Sequence, residues 1–317
     1  MAAPPPHPSL VGVVGHTGGD PGITRTVSPF HTGEIEVQAR LGLREDAERV
    51  GRIVASTIPK AARRLLSHQR LAVAASLDEA RRPWASLLSG SPGFIEAADD
   101  QLLRLSTRPP ADDPLFANLG ARPELGLLVI DPRTRQRLRF NGRGLLSEDG
   151  LFLVVNEVYG NCPKYIQKRR ILEPPPDAPL RGPGPARRTT TLDESQRAWI
   201  ASADTFFIAS WHPGGGADAS HRGGRPSFVR VLDERTLEFS DYPGNNMFNT
   251  LGNLERYPRA GLLFVRFETG DLLQLTGLAR ILWEPDTAVR VEVEEVRETP
   301  GGSALRFDLV EPSPLNP

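Results

Sequence analysis

The chain has 317 residues, 39% of them hydrophobic and 24% charged, with a formal net charge of −1. This length allows two domains that each bury a core, and the near-neutral balance excludes an overall basic field able to hold nucleic acid. The single cysteine, Cys162, excludes an internal disulfide and any zinc site that needs several thiolates.

Residues 1–28, rich in Gly and Pro, read as an N-terminal arm. Its glycines Gly15, Gly18 and Gly19 lack the Gly-Lys-Ser/Thr ending of a phosphate loop, so the segment reads as a loop rather than a nucleotide site. No basic segment precedes an apolar run and no apolar stretch reaches membrane-spanning length, from which a cytoplasmic location without a membrane partner is expected. Over residues 44–69, Val50, Ile53, Val54, Ile58, Ala61, Leu65 and Leu66 recur at helical spacing, and Pro59 divides the run into two short helices. Short alternating runs follow at 71–76, 85–88, 101–106, 125–130, 137–141 and 151–158. These are six strands with tight connections, which suggest a small barrel or sandwich.

Residues 173–190 carry Pro174, Pro175, Pro176, Pro179, Pro183 and Pro185 and read as a linker that neither helix nor central strand can cross. Thr191 and Glu194 have capping-box spacing and predict a short helix through Trp199 and Ile200. Further strands are predicted at 205–211, 227–232, 236–240, 260–267, 272–283 and 289–296.

The two strand-rich stretches repeat one pattern at a displacement of 134 or 135 positions. Phe94 matches Phe228, Asp99 matches Asp233, Asn118-Leu119 matches Asn253-Leu254, Gly126-Leu127-Leu128 matches Gly261-Leu262-Leu263, and Asn141-Gly142 matches Thr276-Gly277. A fixed offset over such a length implies a tandem duplication. The fold class expected is mainly β with flanking helices. It consists of an arm at 1–28, a first barrel domain at 29–172, a linker at 173–190 and a second barrel domain at 191–317.

The densest chemistry lies between His221 and Asn253. There Gly244, Asn245 and Asn246 precede an apolar helical stretch and form a candidate anion cradle, with Arg222, Arg225 or Arg230 supplying charge. The same residues also fit a plain turn with a helix cap. His212, His221 and Asp218 flank a glycine run with no regular element to hold them as metal ligands, so that run reads as a lid or turn. No hydrolase signature is present, and no pair of carboxylates is singled out for acid and base roles. A thiol role for Cys162 beside Lys164 is weighed against inert packing, and ligand contact by Lys164, Tyr165 or Gln167 is the stronger reading.

Ser227 to Val231, Phe239-Ser240-Asp241-Tyr242, the loop at Gly244, Gly261-Leu262-Leu263-Phe264 and Leu272-Leu273-Gln274-Leu275-Thr276-Gly277 resemble the FMN-binding split barrel of the pyridoxamine 5'-phosphate oxidase superfamily. Ser28 to Glu34, Arg82 to Leu88, Arg133 to Gly142 and Gly160 to Gln167 resemble the amino-terminal module of bacterial flavoproteins that sometimes continue into a ferredoxin-reductase-like portion. The resemblance implies two fused split barrels forming an intramolecular pseudo-dimer, with FMN bound non-covalently in the groove between them. Carried over by position, Phe228, Val229, Arg230, Val231, Ser240, Asp241, Asn245 and Asn246 fall where the family holds ribityl and phosphate, with Arg222 nearby. The opposing wall would come from Trp84, Ser86, Arg137 and Arg139, with Lys164 reaching across.

This chain departs from the family by having Gly244-Asn245-Asn246 where pyridoxamine-phosphate oxidases carry Ser-Arg-Lys. In the first copy the matching loop holds Asp112 and Asp113, so the phosphate is expected in the second barrel. The implied activity is an FMN-dependent oxidoreductase acting on a small molecule, with NAD(P)H or a separate reductase as electron donor. The alternative is a non-catalytic barrel that binds flavin, haem or a partner protein. Exposed barrel edges leave room for a homodimer.

Overall fold

The computed structural model describes residues 28–147, 150–160, 162–173 and 182–317. Apart from Ser28, the expected arm lies outside the described residues, as do Asn161 and the polyproline part of the linker.

The chain begins with three helices, α1 (Thr32–Arg40), α2 (Arg44–Gly51) and α3 (Lys60–Ser67). The first copy follows as β1 (Leu71–Leu77), β2 (Pro83–Ser89), β3 (Ile95–Ala97), β4 (Leu102–Leu105), α4 (Leu115–Ala121), β5 (Glu124–Asp131), β6 (Gln136–Ser147) and β7 (Gly150–Gly160). After β8 (Lys168–Leu172), β9 (Arg187–Thr189) and α5 (Glu194–Ser202), the second copy runs β10 (Thr205–His212), β11 (Gly216–Gly223), β12 (Val229–Val231), β13 (Thr236–Ser240), α6 (Asn249–Arg256), β14 (Arg259–Arg266), β15 (Asp271–Leu282) and β16 (Ala288–Thr299). The last strand is β17 (Arg306–Glu311).

The two sheets have the same topology. The first is ordered β2-β1-β5-β6-β7-β4-β3 and the second β11-β10-β14-β15-β16-β13-β12. Both carry a register shift at equivalent places in the long hairpin, after Asn141 in β6 and after Thr276 in β15. The side-chain contacts repeat as well. Asn118 Nδ2 donates to Ser76 Oγ at 2.9 Å, and Asn253 Nδ2 donates to Ser210 Oγ at 2.9 Å.

Each barrel encloses its own core, and a third core lies between them, built from Leu71, Val73, Leu128 and Ile130 of the first copy and Phe207, Ala209, Trp211 and Leu263 of the second. Strands β1 and β5 therefore bury both faces, one in the barrel and one between the barrels, which explains why they read as continuous apolar runs. The barrels approach at glycine on both sides of the pseudo-twofold. A Cβ on Gly126 would lie 2.5 Å from the Ala217 carbonyl oxygen, and one on Gly261 would lie 2.4 Å from that of Pro83.

Several expectations need correction. Helix α1 was not anticipated; it starts from a capping box in which His31 accepts from the Glu34 backbone N–H, and it packs against α6 of the other copy. The box that starts α5 pairs Asp193 with Gln196 instead of Thr191 with Glu194. Within the linker stretch, β9 adds a short edge strand alongside β16, while β8 just before it pairs with β17. The polar stretch after the glycine run is strand β11, so only residues 213–215 form the turn.

Candidate functional site

Strand β6 alternates. Leu138 and Phe140 enter the first barrel's core, while Arg137, Arg139 and Asn141 point the other way, across to the second copy. Strand β11 meets them with Asp218, Ser220 and Arg222. Arg139 is buried, and its Nη1 donates to both oxygens of Asp218 at 3.2 and 3.3 Å and to Asn249 Oδ1 at 3.0 Å. Its Nη2 donates to Ser220 Oγ at 2.5 Å. Arg139 thus joins the two copies through one buried polar network.

Beyond it lies a cleft lined by Arg137, Arg139, Lys164, Tyr165, His221, Arg222, Phe228, Ser240, Tyr242, Gly244 and Asn245. A contiguous recess adds Asp241, Asn246 and the first turn of α6. The α6 N-terminus has no side-chain cap, since Phe248 occupies that position in a left-handed conformation, φ 62°. Its first N–H groups therefore face the recess unsatisfied by any cap.

The cleft carries an excess of positive charge. Arg222 pairs with Asp241 at 3.3 Å and Arg139 with Asp218, but Arg137 has no carboxylate partner among the described residues. Its Nη1 lies 3.4 Å from His221 Nδ1. The Nε atoms of Arg137, Arg139 and Arg222 are buried without partners among the described residues. Burial, together with Arg139 and Arg222, pushes Arg137 down to about 9, which leaves it cationic at neutral pH. Burial and the arginines hold His221 well below the ordinary histidine value, so it is neutral and accepts from Arg137.

Residues 162–167 reach across to the same cleft. Lys164 Nζ and Tyr165 Oη both donate to the Pro243 carbonyl, at 3.3 and 2.9 Å. Arg137, Arg139, Lys164, Arg222, Phe228, Ser240, Asp241, Asn245 and Asn246 are thus brought together.

Five expected residues are elsewhere. Val229 is in the second barrel's core and Val231 packs against it, while Arg230 projects outward to Glu238 at 2.8 Å, as the two-residue period of β12 requires. Trp84 and Ser86 belong to the pseudo-symmetric counterpart of the site. There Gln274 stands where Arg139 does, donating to the Ala85 carbonyl at 2.9 Å and to Asp113 at 3.0 Å. Ser86 donates to Asp113 at 2.6 Å, and Leu115 N–H also binds Asp113. The Asp113 carboxylate therefore occupies its own helix end, and Leu88 and Leu272 stand in the places of Arg222 and Arg137. In the counterpart, the helix end is thus taken by the chain's own carboxylate and the two arginines are replaced by leucines.

On the other side of Arg139, a cavity of about 280 Å³ is lined by His31, Glu34, Asn141, Glu157, Tyr159, Asp218, Asn249 and Asn253, among others. His31 stacks on His212 with ring centroids 3.7 Å apart, and its Nε2 lies 2.9 Å from Asn253 Oδ1. Burial and His212 push His31 down to about 4, and burial pushes Glu34 up to about 8. Glu34, Asn141, Glu157 and Tyr159 were not expected at a site, and Asp218 was weighed only as a metal ligand. The signal for Asn141 was its place in the same alternation as Arg137 and Arg139.

Two tandem split barrels that build a composite cleft across an internal pseudo-twofold define the class of this protein. The sequence model of the family described as pyridoxamine 5'-phosphate oxidase matches residues 58–173 and 192–314, about three quarters of the chain, and the chain belongs to that family. No curated protein matches it. Solved structures similar to it include the H111A variant of HupZ from Group A Streptococcus, at 15% identity and a TM-score of 0.28, covering 34% of this chain and 98% of that one. A FAD-binding protein from Mesorhizobium loti matches at 14% identity and a TM-score of 0.26, covering 36% and 96%. The FAD binding protein from Mycobacterium smegmatis matches at 14% and 0.26, covering 35% and 98%.

Proposed function

We propose that the arginine cleft holds the phosphate of FMN, with the ring system in the groove between the copies, and that the protein is a flavin-dependent oxidoreductase acting on a small molecule. The observation that carries this reading is Arg137, a half-buried guanidinium with no carboxylate partner among the described residues, set beside Arg222 and an uncapped helix end. Removing its charge from water is unfavourable unless an anion compensates, and a phosphate dianion does so.

Arg137 and Arg222 would supply the charge, Lys164 would close the rim, and the α6 N–H groups with Asn245 and Asn246 would supply neutral donors. These donors replace the basic run of other family members. Arg139 is held by Asp218, Ser220 and Asn249, and its role is to position the wall. When bound, the flavin would supply hydride or electron transfer, with electrons from NAD(P)H or a separate reductase. Because the Asp113 carboxylate takes the equivalent helix end and leucines replace the arginines, the reading predicts one flavin per chain.

The purified protein tests this by its absorbance. A flavin spectrum at one FMN per chain, bleached by NAD(P)H or dithionite and restored by air, is expected. Failure to take up added FMN overturns the reading. Uptake without any turnover with NAD(P)H, a reductase and acceptor dyes leaves only a flavin-binding barrel.

A further inference from the structure

The cavity behind Arg139 is rich in acceptors, and its pseudo-symmetric counterpart shows what is missing. Strand pairing places Glu157 opposite Asn141 and, in the second copy, Glu295 opposite Thr276, so the two glutamates are equivalent. Glu295 is bracketed by Arg82 at 3.0 Å and Arg297 at 2.8 Å. Glu157 has no ion-pair partner among the described residues, because Tyr159 stands where Arg297 does and the turn at Gly214 and Gly215 stands where the chain leads into Arg82.

A second observation is independent of the carboxylates. Asn141 is 6% exposed and lines the cavity; it donates its amide N–H to Glu157, and its Oδ1 has no partner among the described residues. Unpartnered buried acceptors are costly, and a donor-rich ligand would relieve them. No group of three His, Cys, Asp or Glu side chains among the described residues is arranged to enclose a metal ion. A chelated metal ion is therefore not what this lining favours, whereas an organic cation carries the N–H donors that its acceptors lack.

We propose that this cavity binds the cationic end of a small organic molecule, an alkylammonium or guanidinium group, through Glu157, Glu34 and Asn141 Oδ1. Phe30 and the His31 ring supply apolar walls for the attached carbon chain. The cavity and the arginine cleft share Asn249 and are separated by the Arg139–Asp218 pair, so a molecule held here would sit one side chain away from the cleft. This assignment stands whether or not a flavin occupies the cleft.

Glu34 is pushed up to about 8 by burial, the approach of Glu157 and Asp218 adding to it, and Glu157 is raised by burial and Asp218. A bound cation stabilises the ionised carboxylates, so binding at pH 7 expels protons. His31 and His212 are held too low to take up these protons at pH 7, and Arg139 already carries its own.

Calorimetry of the full-length protein with butylguanidinium and with butylurea, its neutral isostere, tests the site, with flavin content read from the absorbance of the same sample. The expected result is a preference of about tenfold or more for butylguanidinium. Comparing two buffers of different ionisation enthalpy should show proton release. Glu157→Gln should lower the butylguanidinium affinity about tenfold while leaving that for butylurea unchanged. Equal affinities, no detectable binding of butylguanidinium, or binding without proton release overturns the proposal, whatever the flavin content.

Discussion

Arg139→Gln probes the seam between the copies. The wild-type guanidinium gives four hydrogen bonds to Asp218, Asn249 and Ser220, and Asp218 and Ser220 are 3% and 1% exposed. Glutamine is the natural choice, because Gln274 fills the equivalent place in the other barrel. The substitution leaves the Asp218 carboxylate, among the described residues, with the Ser220 and Tyr159 hydroxyls as donors, at 3.1 and 3.4 Å. Breaking a buried pair by removing one partner costs about 3–5 kcal/mol. If the cost comes from the stranded carboxylate, Asp218→Asn should rescue it, with a coupling of about 2–3 kcal/mol between the two positions. Urea unfolding of the wild type, both single variants and the double variant measures this, provided the slopes agree. The shared inter-barrel core predicts one cooperative transition. Additive single effects would refute the argument that charge pairing, rather than side-chain volume, holds this seam.

Gly126→Ala drives a Cβ against the Ala217 carbonyl and should cost about 1–3 kcal/mol, read as a lower urea midpoint. Asn253→Ala and Asn118→Ala remove equivalent buried amide donors from serine hydroxyls, and each should cost about 1–3 kcal/mol in the same assay. Glu34 has a folded value of about 8 against an ordinary 4.5, so its protonated form favours folding. That contribution is complete below 4.5 and is lost as the pH rises through 8, whereas Glu34→Gln should flatten the dependence over this window. His31 acts in the opposite sense. Its neutral form favours folding, and the contribution present above 6.5 is lost as the pH falls through about 4, which His31→Gln should abolish in an acid titration.

The duplication was legible because it is written in positions that cannot vary freely. Gly126 and Gly261 recur at the fixed offset since any larger residue would separate the barrels, and Asn118 and Asn253 recur because each satisfies a buried serine. Arg137 and Arg139 were placed at the groove through the family resemblance, and the alternation of β6 sets both on the face away from Leu138 and Phe140. Strand β11 was hidden because Gly216 to Gly223 lacks β-branched residues and is sheltered on both sides by tertiary contacts; projecting β2 through the repeat offset would have found it. Helix α1 was hidden because histidine is not an ordinary N-cap residue, and its seating on α6 is a long-range contact that no local pattern encodes. Val229, Arg230 and Val231 were assigned to the groove as one block, although their alternation already required the valines and the arginine to face opposite ways.

The proposal for the cleft stands or falls on an FMN titration of Arg137→Met beside the wild type, followed by flavin fluorescence quenching and paired with urea unfolding. One site per chain is expected in the wild type. The variant should bind ten- to a hundredfold more weakly, the equivalent of losing a charged hydrogen bond of about 1.5–3 kcal/mol. Its stability should be unchanged or higher, because the substitution removes a cation that has no carboxylate partner among the described residues. Two sites per chain, or unaltered affinity in a variant that folds normally, would contradict the assignment of the phosphate to the arginine cleft.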